Sequence, residues 1–393
     1  MKICMLDPLF HPYYGGAEKV VLEIGKRLVK RGHEITVLTS TLPNAKEKLD
    51  EIDGIVIRRT PAIYFENLPS FMPPPYTIQP LINRDILKMD VDAFHIHNRF
   101  WYGYGTLAAV KLLKRKKLVL TLHNAKPEGI SFGVDVGGQA LDLLHGNRIK
   151  EAADRIICVS DYTRRVTVPS YCMRKASVIY NGVDVEKFTP AKEKEGQDIK
   201  KMLGAENGQL ILTNARLVTQ KGLNYLIDAF ALLKKQKEFA DSKLCIIGHG
   251  NLKGKLEAQA SGLGLVVGKD VIFTTGIAEK DLPHYYNAAD VFALPSLWEP
   301  SAVVLYEGLA SGCAIVCANI GGNEEIVGDA GEYVKARDVN GLAEKIMKVL
   351  SDADARRKMQ ERARERAVKN FTWDIAADKY EKVYEELISG KKK

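Results

Sequence analysis

Residues 2–40 read KICMLDPLFHPYYGGAEKVVLEIGKRLVKRGHEITVLTS. The opening run to Phe10 is short and apolar, as a buried strand is. Ala17, Val20, Val21, Ile24 and Leu28 then recur at the spacing of one helix face, and Gly32 ends that helix. EITVLTS supplies the next strand. A strand, a helix and a strand in so short a stretch open a parallel, doubly wound sheet.

The rhythm continues outward. GIVIRRT, AFHIHN, KLVLTLHN and RIICVSD read as strands, and TLAAVKLLKRKK as a helix. Ile63–Pro80 interrupts with five prolines and no period, the mark of a long functional loop. Residues 181–208, turn-rich and then highly charged (AKEKEGQDIKK), are the expected hinge. The alternation restarts with QLILTNARL, a helix through YLIDAFALLKK, then KLCIIGHG, VIFTTG, DVFALPS and AIVCAN. The expected fold class is α/β, with two Rossmann-like doubly wound domains, 1–185 and 186–372. Ligands are expected in the interdomain cleft, at the strand carboxyl ends. A last helix is expected from Trp373 to about Ile388, with Thr372 as its N-cap.

The 393 residues are 46% apolar and 27% charged, the balance of a soluble globular protein with room for two cores. No run of about 18 apolar residues occurs to span a membrane, and the N-terminal run before Asp7 is short for a secretion signal. The six cysteines form no C-x-x-C pair, so buried reduced thiols in a cytosolic protein are expected, and no zinc site. Residues 1–180 hold 26 basic and 18 acidic residues, which accounts for the whole net charge of +8. A basic first half argues for an anionic partner there, a lipid surface or a phosphorylated substrate. Its aromatics do not interleave with the basic residues in any RNA-binding pattern, so no nucleic-acid partner is expected.

Several loops at strand ends carry chemistry. In TNARLVTQKG, Arg216 and Lys221 sit on a strand exit before Gly222, two cations suited to a diphosphate. Gly248 and Gly250, in IIGHG, would let a ligand approach the backbone. In LPSLWEPSAVVLYEGLASG a strand ends at Ser296 and a helix runs from about Ser301, so the N–H groups of Ser301, Ala302 and Val303 could bind phosphate. Glu299 lies at the mouth of that helix, and Glu307 about two turns in. One carboxylate could hold sugar hydroxyls and the other ribose hydroxyls, although Glu299 could equally be a capping charge.

In order along the chain stand PYYGGAEKVV, LTLHN, ADRIICVSDYTR, VIYNGVD, NARLVTQKGL, FTTGIAEKDLPHYYNAADVFALPS, the E-x7-E motif Glu299–Glu307, IGGNEEIV and FTWD. On these segments the chain resembles the retaining glycosyltransferases of GT-B fold, family 4, over nearly its full length. The resemblance implies that the second domain holds a nucleotide-sugar donor and that residues 373–393 cross back to the first domain. It implies that Arg216 and Lys221 neutralise the departing diphosphate, that Glu299 touches the donor sugar and Glu307 the ribose, and that Ile277 meets the base through its main chain. Gly15 and Gly16 would admit the diphosphate and the acceptor, and His123 would face the donor sugar. At Ser301-Ala302 the chain departs from the family's Phe-Gly. Alanine there is expected to crowd the donor and to resist a positive φ.

The expectation is a retaining, metal-independent hexosyltransferase without a cofactor, using a UDP or GDP sugar. Its acceptor would be a glycan, a lipid-linked glycan or a sugar phosphate. It would be cytoplasmic, and held on an anionic membrane surface by the first domain. A non-catalytic nucleotide-sugar sensor, and a sugar-nucleotide-cleaving or epimerising enzyme of the same architecture, are the rival readings.

Overall fold

The computed structural model describes residues 1–13, 15–63, 76–77, 79–97, 110–111, 116–125, 146–190 and 193–390. The chain divides into two units. Of the described residues, one holds those up to Gly182 together with those from Trp373 onward, and the other holds Val183–Thr372.

The first unit contains β1 (Lys2–Leu6), α1 (Gly16–Lys30), β2 (Glu34–Ser40), β3 (Leu49–Ile52), β4 (Ile55–Thr60), β5 (Ala62–Ile63), β6 (Tyr76–Thr77), α2 (Gln79–Lys88), β7 (Ala93–His97), β8 (Lys117–Leu122), α3 (Asn147–Ala152), β9 (Arg155–Cys158), α4 (Asp161–Thr167) and β10 (Ala176–Val178). Eight strands form one sheet in the order β10-β9-β8-β7-β1-β2-β4-β3, all parallel except β3, which runs antiparallel to β4 at the edge. Strand order reverses between β1 and β7, and ligands of open α/β sheets bind at such a switch point. One sheet face buries Ile3, Met5, Val37 and Ile57 under α1 and the C-terminal helix (Trp373–Ile388); the other buries Leu6, Phe94, Leu120 and Ile156.

One reading changes here. Pro80 belongs to α2, whose first turn tolerates a proline because its N–H would have no acceptor there. The rest of the long Ile63–Pro80 loop lies almost wholly outside the described residues, as does most of TLAAVKLLKRKK.

The second unit contains α5 (Glu193–Met202), β11 (Leu210–Asn214), α6 (Leu223–Lys234), β12 (Lys243–Ile247), α7 (Lys253–Gly262), β13 (Val271–Thr274), α8 (Leu282–Ala288), β14 (Val291–Leu294), α9 (Val303–Ala310), β15 (Ile315–Ala318), α10 (Asn323–Val327), β16 (Gly331–Val334), α11 (Val339–Ser351) and α12 (Ala353–Asn370). Its six strands are parallel, in the order β13-β12-β11-β14-β15-β16, with the switch point between β11 and β14. The charged stretch expected as a hinge is in fact α5. Lys200 anchors it, pairing at 2.7 Å with Asp290 just before β14.

Candidate active site

The switch point of the second unit selects two loops, the exit of β11 and the exit of β14. Arg216 and Lys221 are on the first, and Ser296–Ala302 on the second. The loops are sewn together: Leu297 N–H donates to the Gln220 carbonyl at 2.8 Å, and Gln220 Nε2 donates to the Trp298 carbonyl at 2.9 Å. Gly222 adopts φ 61°, and a Cβ there would lie 2.3 Å from the Pro295 carbonyl oxygen, so a glycine is needed where the loops cross.

The four charged residues have unlike surroundings. Arg216 is exposed, and its guanidinium has no partner among the described residues. Lys221 pairs through Nζ with Glu299 Oε1, and the side chains are 14% and 4% exposed. Ser296 Oγ donates to the same carboxylate oxygen at 2.8 Å. Glu307, buried in α9, accepts from the Tyr286 hydroxyl at 3.0 Å, and Asn214 Nδ2 donates to that hydroxyl at 3.2 Å. Tyr286, Asn214 and Ser296 escaped the sequence reading because each acts on another side chain, and pattern does not record such pairings.

Helix α9 begins at Val303 rather than Ser301, and its N-cap, Ala302, offers no side-chain cap. The N–H groups of Val303 and Val304 have no acceptor among the described residues, which leaves two donors at the positive end of a helix. Ala302 has φ −75° and is buried, so alanine sits there without backbone strain and the expected resistance to a positive φ does not arise. Ser301 Oγ is 2.9 Å from the Tyr306 hydroxyl. Ile277 follows β13, half-buried, with its N–H and C=O unbonded among the described residues.

Gly248 and Gly250 have a reason other than a ligand. Both have positive φ, and a Cβ on either would lie 2.0 Å from the Ala215 oxygen or 2.4 Å from the Leu217 oxygen. They let the segment carrying Arg216 continue the ladder beside β12, where Leu217 N–H donates to the His249 carbonyl. The geometry of both glycines is set by that segment.

In the first unit, Gly15 caps α1 in an extended conformation and exposed Gly16 begins it. A Cβ on Gly15 would lie 2.3 Å from Glu18 Oε2. Burial pushes the Glu18 carboxyl up to about 7. Burial, then the charge of Glu18, drives Asp7 well above the carboxylate range; its Oδ2 is buried without a partner among the described residues. This acidic pair beside the glycines was not singled out in the sequence, where Glu18 reads as an ordinary first-turn acid. His123 follows β8, half-buried, with Nε2 3.0 Å from Nδ1 of His97. Burial depresses its ring to about 4.

The basic first half is partly consumed by internal pairing. Lys26 meets Asp53 at 2.8 Å, Arg27 meets Asp374 at 3.0 Å, and Arg31 meets Asp378 and Glu381 at 2.6 Å. Lys111 holds Asp154 at 2.7 Å. Lys30 and Lys117 are exposed; Lys114 and Arg115 lie outside the described residues.

Comparison with known proteins follows the same two halves. The family described as Glycosyltransferase Family 4 matches residues 14–187, and that described as Glycosyl transferases group 1 matches residues 195–366. The chain is 27% identical over 402 residues to the GDP-mannose-dependent alpha-(1-6)-phosphatidylinositol monomannoside mannosyltransferase of Mycolicibacterium smegmatis, covering 98% of this chain and 97% of that one. Sucrose-phosphate synthase from Thermosynechococcus elongatus superposes with a TM-score of 0.80 at 20% identity, over 99% of this chain and 100% of that one. Anabaena HepE in complex with UDP-glucose gives 0.78 at 21% identity, over 98% and 100%.

Proposed function

The chain belongs to glycosyltransferase family 4, with the GT-B fold, and from that premise we propose that it transfers a hexosyl group from a nucleotide diphosphate sugar to an acceptor hydroxyl with retention of configuration. One observation carries the reading: at the switch point of a single sheet stand an exposed guanidinium and two helix N–H groups that have no partner among the described residues, together with a buried Lys–Glu pair and a second buried glutamate.

Arg216, Lys221 and the N–H groups of Val303 and Val304 stabilise the charge that grows on the departing diphosphate. Lys221 has three donors, so it can keep Glu299 while it takes a phosphate oxygen. Glu299 accepts from the donor sugar's hydroxyls, Glu307 from the ribose, and the Ile277 main chain meets the base. His123 is assigned to the donor sugar, and Gly15 and Gly16 to the diphosphate and the acceptor. No protein nucleophile is assigned; a leaving-phosphate oxygen takes the acceptor proton. Fixed cations perform the charge stabilisation that a metal would otherwise supply, so the reaction is proposed to be metal-independent.

A UDP or GDP donor is supported by the HepE complex with UDP-glucose and by the GDP-mannose dependence of the mycobacterial relative. That relative's phosphatidylinositol monomannoside also supports a lipid or lipid-linked acceptor; the cytoplasmic face of a membrane is proposed as the place of reaction on the basic charge of the first half alone. The test is turnover of UDP, GDP and ADP hexoses in EDTA, with and without acceptors, reading the product anomer by proton coupling. Acceptor-dependent release of nucleoside diphosphate and an unchanged anomer are expected. Binding without turnover, an inverted product, or activity restored only by Mg²⁺ or Mn²⁺ would overturn the reading.

A further inference from the structure

His123 has a neighbour to which the reaction above gives no task. Side chains two residues apart on a strand share a face, so His95 and His97 of β7 stand beside Thr121 and His123 at the end of β8. Each histidine of β7 reaches the β8 residue two places beyond its register partner. His95 Nε2 lies 2.7 Å from Thr121 Oγ1, and His97 Nδ1 lies 3.0 Å from His123 Nε2. The rings form a column, with centroids 4.0 Å apart for His95–His97 and 5.2 Å for His97–His123. At its inner end His95 Nδ1 meets the Tyr384 hydroxyl at 2.5 Å, and the Tyr380 hydroxyl stands 3.4 Å from Thr121 Oγ1, both from the C-terminal helix. The outer end is His123, whose Nδ1 has no partner among the described residues.

Burial, with no carboxylate among these contacts, holds His95 and His97 well below the usual histidine range and His123 at about 4. All three rings are neutral at pH 7, so each carries one N–H and one bare nitrogen. His97 decides the arrangement, because its Nε2 is buried and has no partner among the described residues. A proton on Nε2 would orphan a buried donor. A proton on Nδ1 leaves only a lone pair unused, and orphaned buried N–H groups are the rarer defect.

We infer that His97 is a positioning residue: its Nδ1–H donates to Nε2 of His123 and fixes His123 as the Nδ1–H tautomer, a hydrogen-bond donor for a hydroxyl or phosphate oxygen of the substrate. The catalytic part rests on the reading of His123 as facing the donor sugar; the tautomer does not. With Nε2 engaged, His123 serves as an oriented neutral donor rather than as a base through that nitrogen.

The test has two independent readouts. In ¹⁵N-histidine-labelled, ligand-free protein at pH 7, long-range ¹H–¹⁵N correlation should give His123 a protonated Nδ1 and a bare Nε2. His97→Leu should lose that pattern. His97→Asn should keep it, because the asparagine amide nitrogen replaces the donor at the Nδ1 position. In turnover, His97→Leu should lower kcat by about 10- to 100-fold, the scale of losing a group that orients an active-site histidine, with little change in the donor KM. His97→Asn should recover most of that loss, and His97→Leu should add almost nothing in a His123→Ala background. An Nε2–H tautomer of His123 in the wild type overturns the inference. So does wild-type kcat in a folded His97→Leu variant. Wild-type activity in His123→Ala would instead overturn the sugar-facing role, and with it the catalytic part of the inference, while the spectra still decide the tautomer.

Discussion

Replacing Arg216 and Lys221 by alanine, one at a time, separates two properties that the sequence merges. Both cations are assigned to the donor diphosphate, so each variant should lose about 2–4 kcal/mol of transition-state stabilisation, or about 30- to 1000-fold in kcat/KM for the donor. Their stabilities should diverge. Arg216 is exposed, with no partner for its guanidinium among the described residues, and its removal should stay within about 0.5 kcal/mol. Lys221 is the counter-ion of Glu299, whose side chain is 4% exposed. Breaking a buried pair from one side costs about 3–5 kcal/mol, because the remaining charge is uncompensated. Ser296 still donates to the same oxygen, and the partial exposure of Lys221 lets water enter, so about 2–3 kcal/mol is expected. At about 2–4 °C per kcal/mol for a domain of this size, Lys221→Ala should melt roughly 4–12 °C low. Adding Glu299→Gln should restore most of the stability and none of the activity. The assay is calorimetry without ligand, followed by donor kinetics. If Lys221→Ala melts with the wild type, the ion pair is not the stabilising contact described; if Arg216→Ala keeps wild-type kcat/KM, the donor site is misassigned.

Tyr286→Phe should weaken nucleoside diphosphate binding about tenfold by titration calorimetry, since Glu307 loses a hydrogen bond to a charged group; unchanged affinity would separate Glu307 from the ribose. Glu18 is held near 7 in the folded protein, above its unfolded value, so its contribution is complete below about 4.5 and fades as pH rises through 7. Glu18→Gln, which mimics the protonated acid, should therefore gain on the wild type by about 2 kcal/mol between pH 5 and pH 8 in denaturant titrations; a pH-independent difference would contradict the burial of this carboxyl. The protein should co-sediment with anionic vesicles at low salt, release as salt screens the attraction, and bind less when Lys114, Arg115, Lys116 and Lys117 become Gln; indifference to anionic lipid would favour a soluble acceptor.

The sequence by itself determined the repeating architecture and marked the candidate loops at the strand exits. Apolar periodicity is a local property: it marks the α1 face at Val20, Val21, Ile24 and Leu28, and it marks strands such as KLCII that are buried throughout. Strand-end chemistry is legible for the same reason, because Arg216, Lys221, Glu299 and Glu307 lie in short segments at strand exits and in the helix that follows. Which strands lie side by side was not legible, and neither, therefore, was the switch point that joins the loop after β11 to the loop after β14. Tertiary structure alone decided that Lys221 already neutralises Glu299, that Gly248 and Gly250 are shaped by Ala215 and Leu217, and that Arg27 and Arg31 answer acids some 350 positions later. It also decided the column His95–His97–His123, because the strand pairing of β7 with β8 sets those rings in contact. Apart from the neighbours His95 and His97, each of these contacts spans a separation over which sequence spacing carries no information; packing between distant elements creates them.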